Sequence, residues 1–357
     1  MTYAKLLVYP PHAPRRLRFE VAACAVSSSA ADPRPKFRPV AIPERLRRSP
    51  FDPPLRGGPF VDVLLEGSAV PRVHQAATTT VSLAVGDWSW SAAVFGVRRA
   101  VGVAGHIAIG DPMPIDRPVP IAFETAFGGE APSSADVALA LDREIDSARV
   151  YPRNPFGLGY RHGRVESGWY LPQIEDPADL LTDQRLERIA DEGWEAGPLP
   201  WCLDEVHAAT FPRAAWIGMG PDVVAPESLA EVRRGWLAER TPDKHSGRIE
   251  PCFLQDASPW AWLAELRAGT LVEATGCLPR GATFAIELPQ WPRVIVTMGG
   301  RDQEVGIRPA RITVRPDMRD VIVTWVGEIE IPPGTDVDPS GRSPIAVRMA
   351  DESTSSR

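Results

Sequence analysis

Proline punctuates this chain from end to end, and that habit rules out most of what a chain of this length can otherwise build. The 38 prolines among 357 residues fall without a period, at about twice the usual share, so they mark neither a collagen repeat nor a low-complexity linker. Each fixes φ and removes an amide donor. Long helices do not tolerate that, whereas strand ends, sheet edges and turns do. The expectation is a mainly β protein of antiparallel, sandwich-like or barrel-like sheets, with a long irregular middle and one or two short helices.

Three regions carry the β signal, residues 2–9, 59–129 and 271–331, where β-branched and aromatic residues alternate with polar ones between Gly, Pro and Asp clusters. In the first large block, residues 60–67, 78–85 and 88–95 read as successive strands, the last two split by the hairpin signal Gly86-Asp87. Near the end, residues 293–298, 311–315 and 320–325 read as an antiparallel meander turned by residues 299–302 and 316–319. Sheets of this kind must bury one face, and strands from both ends of the chain complete one sandwich in this reading. Residues 1–331 are thus one large domain, with residues 28–58 and the tail 332–357 expected to be mobile from their Pro, Ser, Asp and Gly content.

The middle, residues 130–270, shows two helix signals. Ser258 as N-cap, Pro259 at N1 and Gly269 at the far end bracket a helix with Trp262, Leu263 and Leu266 on one face, a stripe that reads as packed on the sheet. A weaker helix starts at Asp176-Pro177 and runs through Leu180, Leu181, Leu186 and Ile189.

Signals for chemistry are weak. Gly157-Leu-Gly-Tyr-Arg-His-Gly163 has the wrong spacing for a dinucleotide loop, and Pro152 and Pro155 stand where a strand is needed. No GxxxxGK[ST] or GxSxG occurs. Cys24, Cys202, Cys252 and Cys277 form no CxxC pair, so neither a disulfide framework nor a redox motif is signalled. Cys202, His207, His245 and Cys252 offer a Cys2His2 ligand set, with spacings that fit no compact zinc finger; small buried hydrophobes are the simpler reading of the cysteines. His74, His106 and His162 have no ligand partners nearby in sequence. Glu124, Glu166, Glu175 and Asp176 supply carboxylates for a carbohydrate- or peptide-type hydrolase, a reading that needs two of them to meet across a cleft. No catalytic residue, cofactor or metal is expected.

The net charge of −7 opposes nucleic-acid binding, and the basic run Arg45-Leu-Arg47-Arg48 reads as a solvated loop. The first ten residues lack the apolar length of a signal peptide, and no apolar run approaches a membrane span. A cytoplasmic protein that does not engage membranes is expected. The 11 tryptophans, among them Trp88, Trp90, Trp169, Trp194, Trp201, Trp216 and Trp236, are many for this length; most belong in a core, and the remainder suit an interface.

Four segments in order, Asp62-Val-Leu-Leu-Glu-Gly-Ser-Ala69 with Pro71, Val85-Gly-Asp-Trp-Ser-Trp90, Phe123-Glu-Thr-Ala-Phe-Gly-Gly129 and Tyr151-Pro-Arg-Asn-Pro-Phe-Gly-Leu-Gly-Tyr160, together resemble an uncharacterised-domain family associated with bacterial type VI secretion. Leu171-Pro-Gln-Ile-Glu-Asp-Pro177 and Phe211-Pro-Arg-Ala-Ala215 extend the resemblance, which runs from about residue 60 to 328. It departs at Trp88, where the family commonly has Arg, and between Trp194 and Asp204, where a Gly-Phe-Gly-Pro stretch is missing. The resemblance implies a non-catalytic adaptor or chaperone that binds a toxic effector or its PAAR-like tip protein and helps load it onto the VgrG spike. A structural subunit of the spike or baseplate is the other non-enzymatic reading. The residues singled out for protein binding are Trp88, Arg153, Asn154, Arg161, Arg164 and Trp169. Gly86, Gly128, Gly129, Gly157 and Gly159 are expected to permit turns with positive φ.

Overall fold

The computed structural model describes residues 3–7, 16–26, 35–40, 60–103, 105–129, 151, 153–163, 168–206, 222–223, 248–249, 255–331 and 346–350. Its largest sheet joins both ends of the chain, in the order Tyr3–Leu7, Arg16–Val26, Asp320–Glu330, Ile307–Arg315, Val61–Leu65 and Trp262–Leu263, with Phe37–Pro39 also on Arg16–Val26. Every pairing is antiparallel except that of Ile307–Arg315 with Val61–Leu65. All five residues of Val61–Leu65 are buried, as a strand covered on both faces requires.

The second sheet runs Ile174–Glu175, Trp88–Phe95, Thr78–Val85, Leu271–Thr275 and Phe284–Glu287, all antiparallel. Its strands alternate as a half-buried sheet should, with Val81, Leu83, Val85, Trp90, Ala92, Val94, Val272, Ala274, Phe284 and Ile286 on the core side. Phe19, Val63, Leu65 and Trp325 from the first sheet share one apolar cluster with Leu83, Val94 and Val272 from the second. The mainly β class and the joining of early and late strands are as expected; among the described residues no sheet closes into a barrel.

Several expectations need correction. Arg16–Val26 pairs along its full length with Asp320–Glu330, although Leu17, Phe19 and Val21 alternate inconspicuously after a proline-rich start. Arg293–Met298 does not neighbour 311–315. It turns at Gly299 and Gly300, whose φ values of 55° and 78° suit glycine, to pair with Arg301–Val305, and on its other side it takes Ala346–Ala350. That last strand lies inside the tail expected to be mobile; Val347 and Met349 alternate and pack against the main core, which is enough to order it. The hairpin of Ile307–Arg315 with Asp320–Glu330 is as expected.

The helix expected after Ser258 is one 3-10 turn, Pro259–Ala261, followed by the strand Trp262–Leu263 against Val61 and Asp62. Tertiary contacts override the capping signals there: Trp262 stacks on Phe60 at 5.6 Å and its indole donates to the Ala257 carbonyl at 2.8 Å. Trp262, Leu263 and Leu266 are nevertheless core residues, as their stripe implied. The weaker helix begins later than Asp176, at Asp183–Glu192, capped by the Thr182 hydroxyl accepting from the Arg185 amide at 3.2 Å.

That helix belongs to a smaller core with Ala100, Ile107, Phe127, Tyr151, Tyr160, Trp169, Leu171, Leu181, Leu186 and Ile189. A three-stranded sheet of Trp169–Tyr170, Arg99–Val103 and His106–Ile109 supplies its other wall. No helix among the described residues is long and apolar enough to cross a membrane.

Candidate functional site

The glycine-rich motifs build this smaller core. Phe127–Gly128 and Leu158–Gly159 form a two-residue parallel ladder, and Asn154, fully buried, ties it together. Its amide nitrogen donates to the carbonyls of Phe123 at 2.7 Å and Phe127 at 3.0 Å, its side-chain oxygen accepts from the Phe156 amide at 3.3 Å, and its backbone carbonyl accepts from Gly129 at 3.0 Å. A Cβ on Gly128 would sit 2.3 Å from the Asn154 carbonyl oxygen, and one on Gly157 2.3 Å from Asn154 Nδ2. Those two glycines therefore serve close approach; of the five expected to hold positive φ, Gly86 and Gly159 do.

Around this knot, the Tyr151 hydroxyl donates to the Pro198 carbonyl at 2.6 Å, and burial pushes its pKa up. Its ring meets Phe127 edge-on at 4.9 Å and Tyr160 at 5.3 Å. Arg153, 9 % exposed, lies 5.0 Å over the Trp194 ring, and the buried Trp169 indole donates to the Gly159 carbonyl at 3.1 Å. Of the residues singled out for partner binding, Arg153, Asn154 and Trp169 are thus buried, each engaged with other residues of this region. Arg161 is half-buried beside them, and Arg164 lies outside the described residues. Trp88 is elsewhere, half-buried against the main core, with its indole donating to the Trp260 carbonyl at 3.3 Å.

Among the candidates for chemistry, Glu175 and Asp176 are likewise engaged. Glu175 is buried in an ion pair with Arg98 and accepts from the Leu181 amide at 2.8 Å; burial holds its pKa above the ordinary glutamate value, with Arg98 pulling against that shift. Asp176 accepts from the Ala178 amide at 2.9 Å in a tight turn, Glu124 is exposed, and Glu166 lies outside the described residues. Burial raises the Cys202 thiol pKa far above its usual range; its would-be metal partners His207, His245 and Cys252 lie outside the described residues. Arg311 and Asp256 form a second buried pair. Beside it Asp62 accepts from Gln255 Nε2 and the Asp256 amide, both at 2.8 Å, which fastens the segment leading to Trp262 onto the large sheet.

An unfinished sheet edge remains. Trp88–Phe95 is paired along all eight residues on one side by Thr78–Val85, but on the other, among the described residues, only Ala93 and Val94 meet a strand, at Glu175 and Ile174. Continuing that register places residue 177 opposite Ser91, and residue 177 is proline, which has no amide to donate. The chain instead turns away through Asp176, whose carbonyl accepts from the Asp179 amide at 3.0 Å. Phe95 points its amide toward this edge, donating to Gln173 at 2.8 Å, so by the alternation of an antiparallel strand Ser91 and Ser89 also point theirs outward.

A groove of about 430 Å³ follows this edge, lined by Ser82, Leu83, Ala84, Ser89, Trp90, Ser91, Asp176, Pro177, Ala178 and Trp201. Trp201 closes one flank, donating to the Ser91 carbonyl at 2.7 Å and stacking between Trp90 at 6.4 Å and Trp260 at 5.4 Å. Trp90 is 3 % exposed, and its indole N–H has no acceptor among the described residues. The only signals for this site in the sequence were the Trp88/Trp90 alternation with serines and the proline at 177.

No curated protein and no solved structure matches the chain. A family model does match over residues 55–326, which takes in the second sheet, the later strands of the large one, the glycine-rich knot and the unfinished edge. With that span covered, the chain belongs to the bacterial family described as an uncharacterized protein conserved in bacteria (DUF2169).

Proposed function

We propose that this protein is a non-catalytic adaptor that holds another polypeptide, and that it does so within type VI secretion, in the cytoplasm, by binding a toxic effector or its PAAR-like tip protein and presenting it to the VgrG spike. The secretion setting is supported by the motif resemblance. Protein holding is supported by one structural observation, the unfinished edge at Ser89 and Ser91 with a groove beside it. Sheet edges are templates for further strands, and proteins that have no use for one commonly block it with charge, proline or a covering element. Here the outward residues are serines. A scaffold with the buried ion pairs Arg98–Glu175 and Arg311–Asp256 acts through shape and hydrogen bonding in this proposal: it binds one conformation of the client preferentially and so raises that conformation's population.

Co-expression with the proteins encoded beside it tests the secretion role. An effector or PAAR-like protein that co-purifies in stoichiometric amount, and that aggregates when expressed without this chain, is the expected result. Retention of none of the neighbours, or a stable homo-oligomer with no exchangeable client, would point to a structural subunit instead.

A further inference from the structure

We infer that the edge at Ser89 and Ser91 takes an extended segment of the client as an added β-strand, with Trp201 as a removable plug. This deepens the protein-holding reading and rests on it, but not on the secretion setting. A strand continuing the line of Ile174–Glu175 runs antiparallel to Trp88–Phe95 and exchanges amide–carbonyl pairs with Ser91 and Ser89, the positions that Pro177 prevents this chain from pairing itself. The Trp201 indole already satisfies the Ser91 carbonyl at 2.7 Å, as a client amide would.

Side chains of the client residues opposite Ser91 and Ser89 fall on the face that carries Ser82, Ala84, Ser89 and Ser91, where small residues leave the groove open. Asp176 is the one ionisable group in its lining among the described residues and sits at the end where an antiparallel client strand enters, so charge complementarity calls for Lys or Arg near the client segment's N-terminal end. Once Trp201 swings away, the unpaired indole N–H of Trp90 gains access to an incoming carbonyl. An extended polypeptide satisfies all three requirements: alternating backbone donors and acceptors, side chains for the groove and a cation for Asp176.

The test selects binders to the full chain from displayed random peptides of about twelve residues, ample for the edge at roughly 3.3 Å per residue, and measures them by fluorescence anisotropy. Expected are peptides with a basic N-terminal half whose affinity falls at least about tenfold with Ser91→Pro or Ser89→Pro, since each removes an outward donor and blocks the edge. Trp201→Phe, which keeps an aromatic ring, though a smaller one, and deletes the competing N–H, tightens binding roughly threefold or more, and Tyr170→Ser, on the three-stranded sheet, leaves it unchanged. Should the proline variants not fold, peptides N-methylated at alternate residues replace them, and one methylation phase abolishes binding while the other does not.

Failure to select any peptide overturns the inference. So does binding indifferent to both Ser91→Pro and N-methylation, or a dimer of this chain that Ser91→Pro disperses, since a second copy then occupies the edge. Because the peptides are not drawn from neighbouring genes, edge binding without co-purifying neighbours would remove the secretion role alone, and co-purification that survives Ser91→Pro would remove the strand addition alone.

Discussion

The two cores of this protein are held together in different ways. In the main core, long strands from both chain ends place one side chain in two on a shared interior, and the backbone is satisfied by ladders of up to 11 residues. In the smaller core the ladders are two to four residues long, and a buried amide, two glycines and a ring of aromatics do much of the work that long ladders do elsewhere. The first spreads its stability over many exchangeable apolar contacts. The second concentrates it in a few positions that admit one residue type, which is why the conspicuous motifs here mark architecture, while in the proposal above it is the inconspicuous serine edge that meets a partner.

The largest effect that can break this comparison is removal of a main-core aromatic. Trp325 is fully buried, with Phe37 edge-on at 4.9 Å and Trp291 at 5.6 Å, so Trp325→Ala should cost about 3–5 kcal/mol and lower the whole unfolding transition in denaturant. Asn154→Ala should cost about 2–4 kcal/mol by orphaning the Phe123 and Phe127 carbonyls. Its signature differs: hydrogen exchange accelerates in residues 123–129, 151–163 and 168–190, while strands such as Asp320–Glu330 keep their protection. Uniform loss of protection across both regions would show that they unfold as one unit and that the distinction is only geometric.

The unequal legibility of the fold follows from the same contrast. Period-two alternation in Thr78–Val85, Trp88–Phe95 and Asp320–Glu330 is a local signal and names the strands directly. The strand Arg16–Val26 is hard to see because its alternation follows three prolines in the first fourteen residues, and Trp262–Leu263 reads as helix because its capping residues are local while Phe60 and Asp62, which decide its conformation, lie about 200 positions away. At the candidate site, Trp88 and the 153–169 region were visible as motifs, but no sequence pattern reports that Asn154 faces inward. The open edge is equally illegible, since an unpaired strand is defined by a neighbour that turns away.

A smaller effect sharpens the join between the two regions. Glu175 lies on the second sheet next to the turn that enters the smaller core. Its folded pKa is raised by burial, so the folded state binds the proton more tightly than the unfolded chain does. The group's contribution is therefore fully present below 4.5, its ordinary value, and is lost as pH rises through the raised folded value. Glu175→Gln should remove that component: the difference in melting temperature between wild type and variant should change through this acid window and be flat at higher pH. A constant difference at all pH values would mean Arg98 keeps the carboxylate at its unfolded affinity.

Smallest is the behaviour of the thiols. Burial pushes Cys24 up to about 11 and Cys277 up to about 12, and Cys202 is fully buried. None of the three should be alkylated by iodoacetamide at pH 8 until the chain unfolds. Fast labelling of Cys202 alone would place an opening motion at the segment that carries Trp201.

Hydrogen exchange of the full chain with and without a co-purified client tests the central claim most directly. The amides of Ser89 and Ser91 should exchange quickly in the free protein and be protected in the complex, while those of Asn154 and Tyr160, bonded to the Tyr151 and Gly128 carbonyls, should be slow in both. Protection gained around residues 153–163 on binding, with residues 89–91 unchanged, would contradict it and return the partner to the glycine-rich loop.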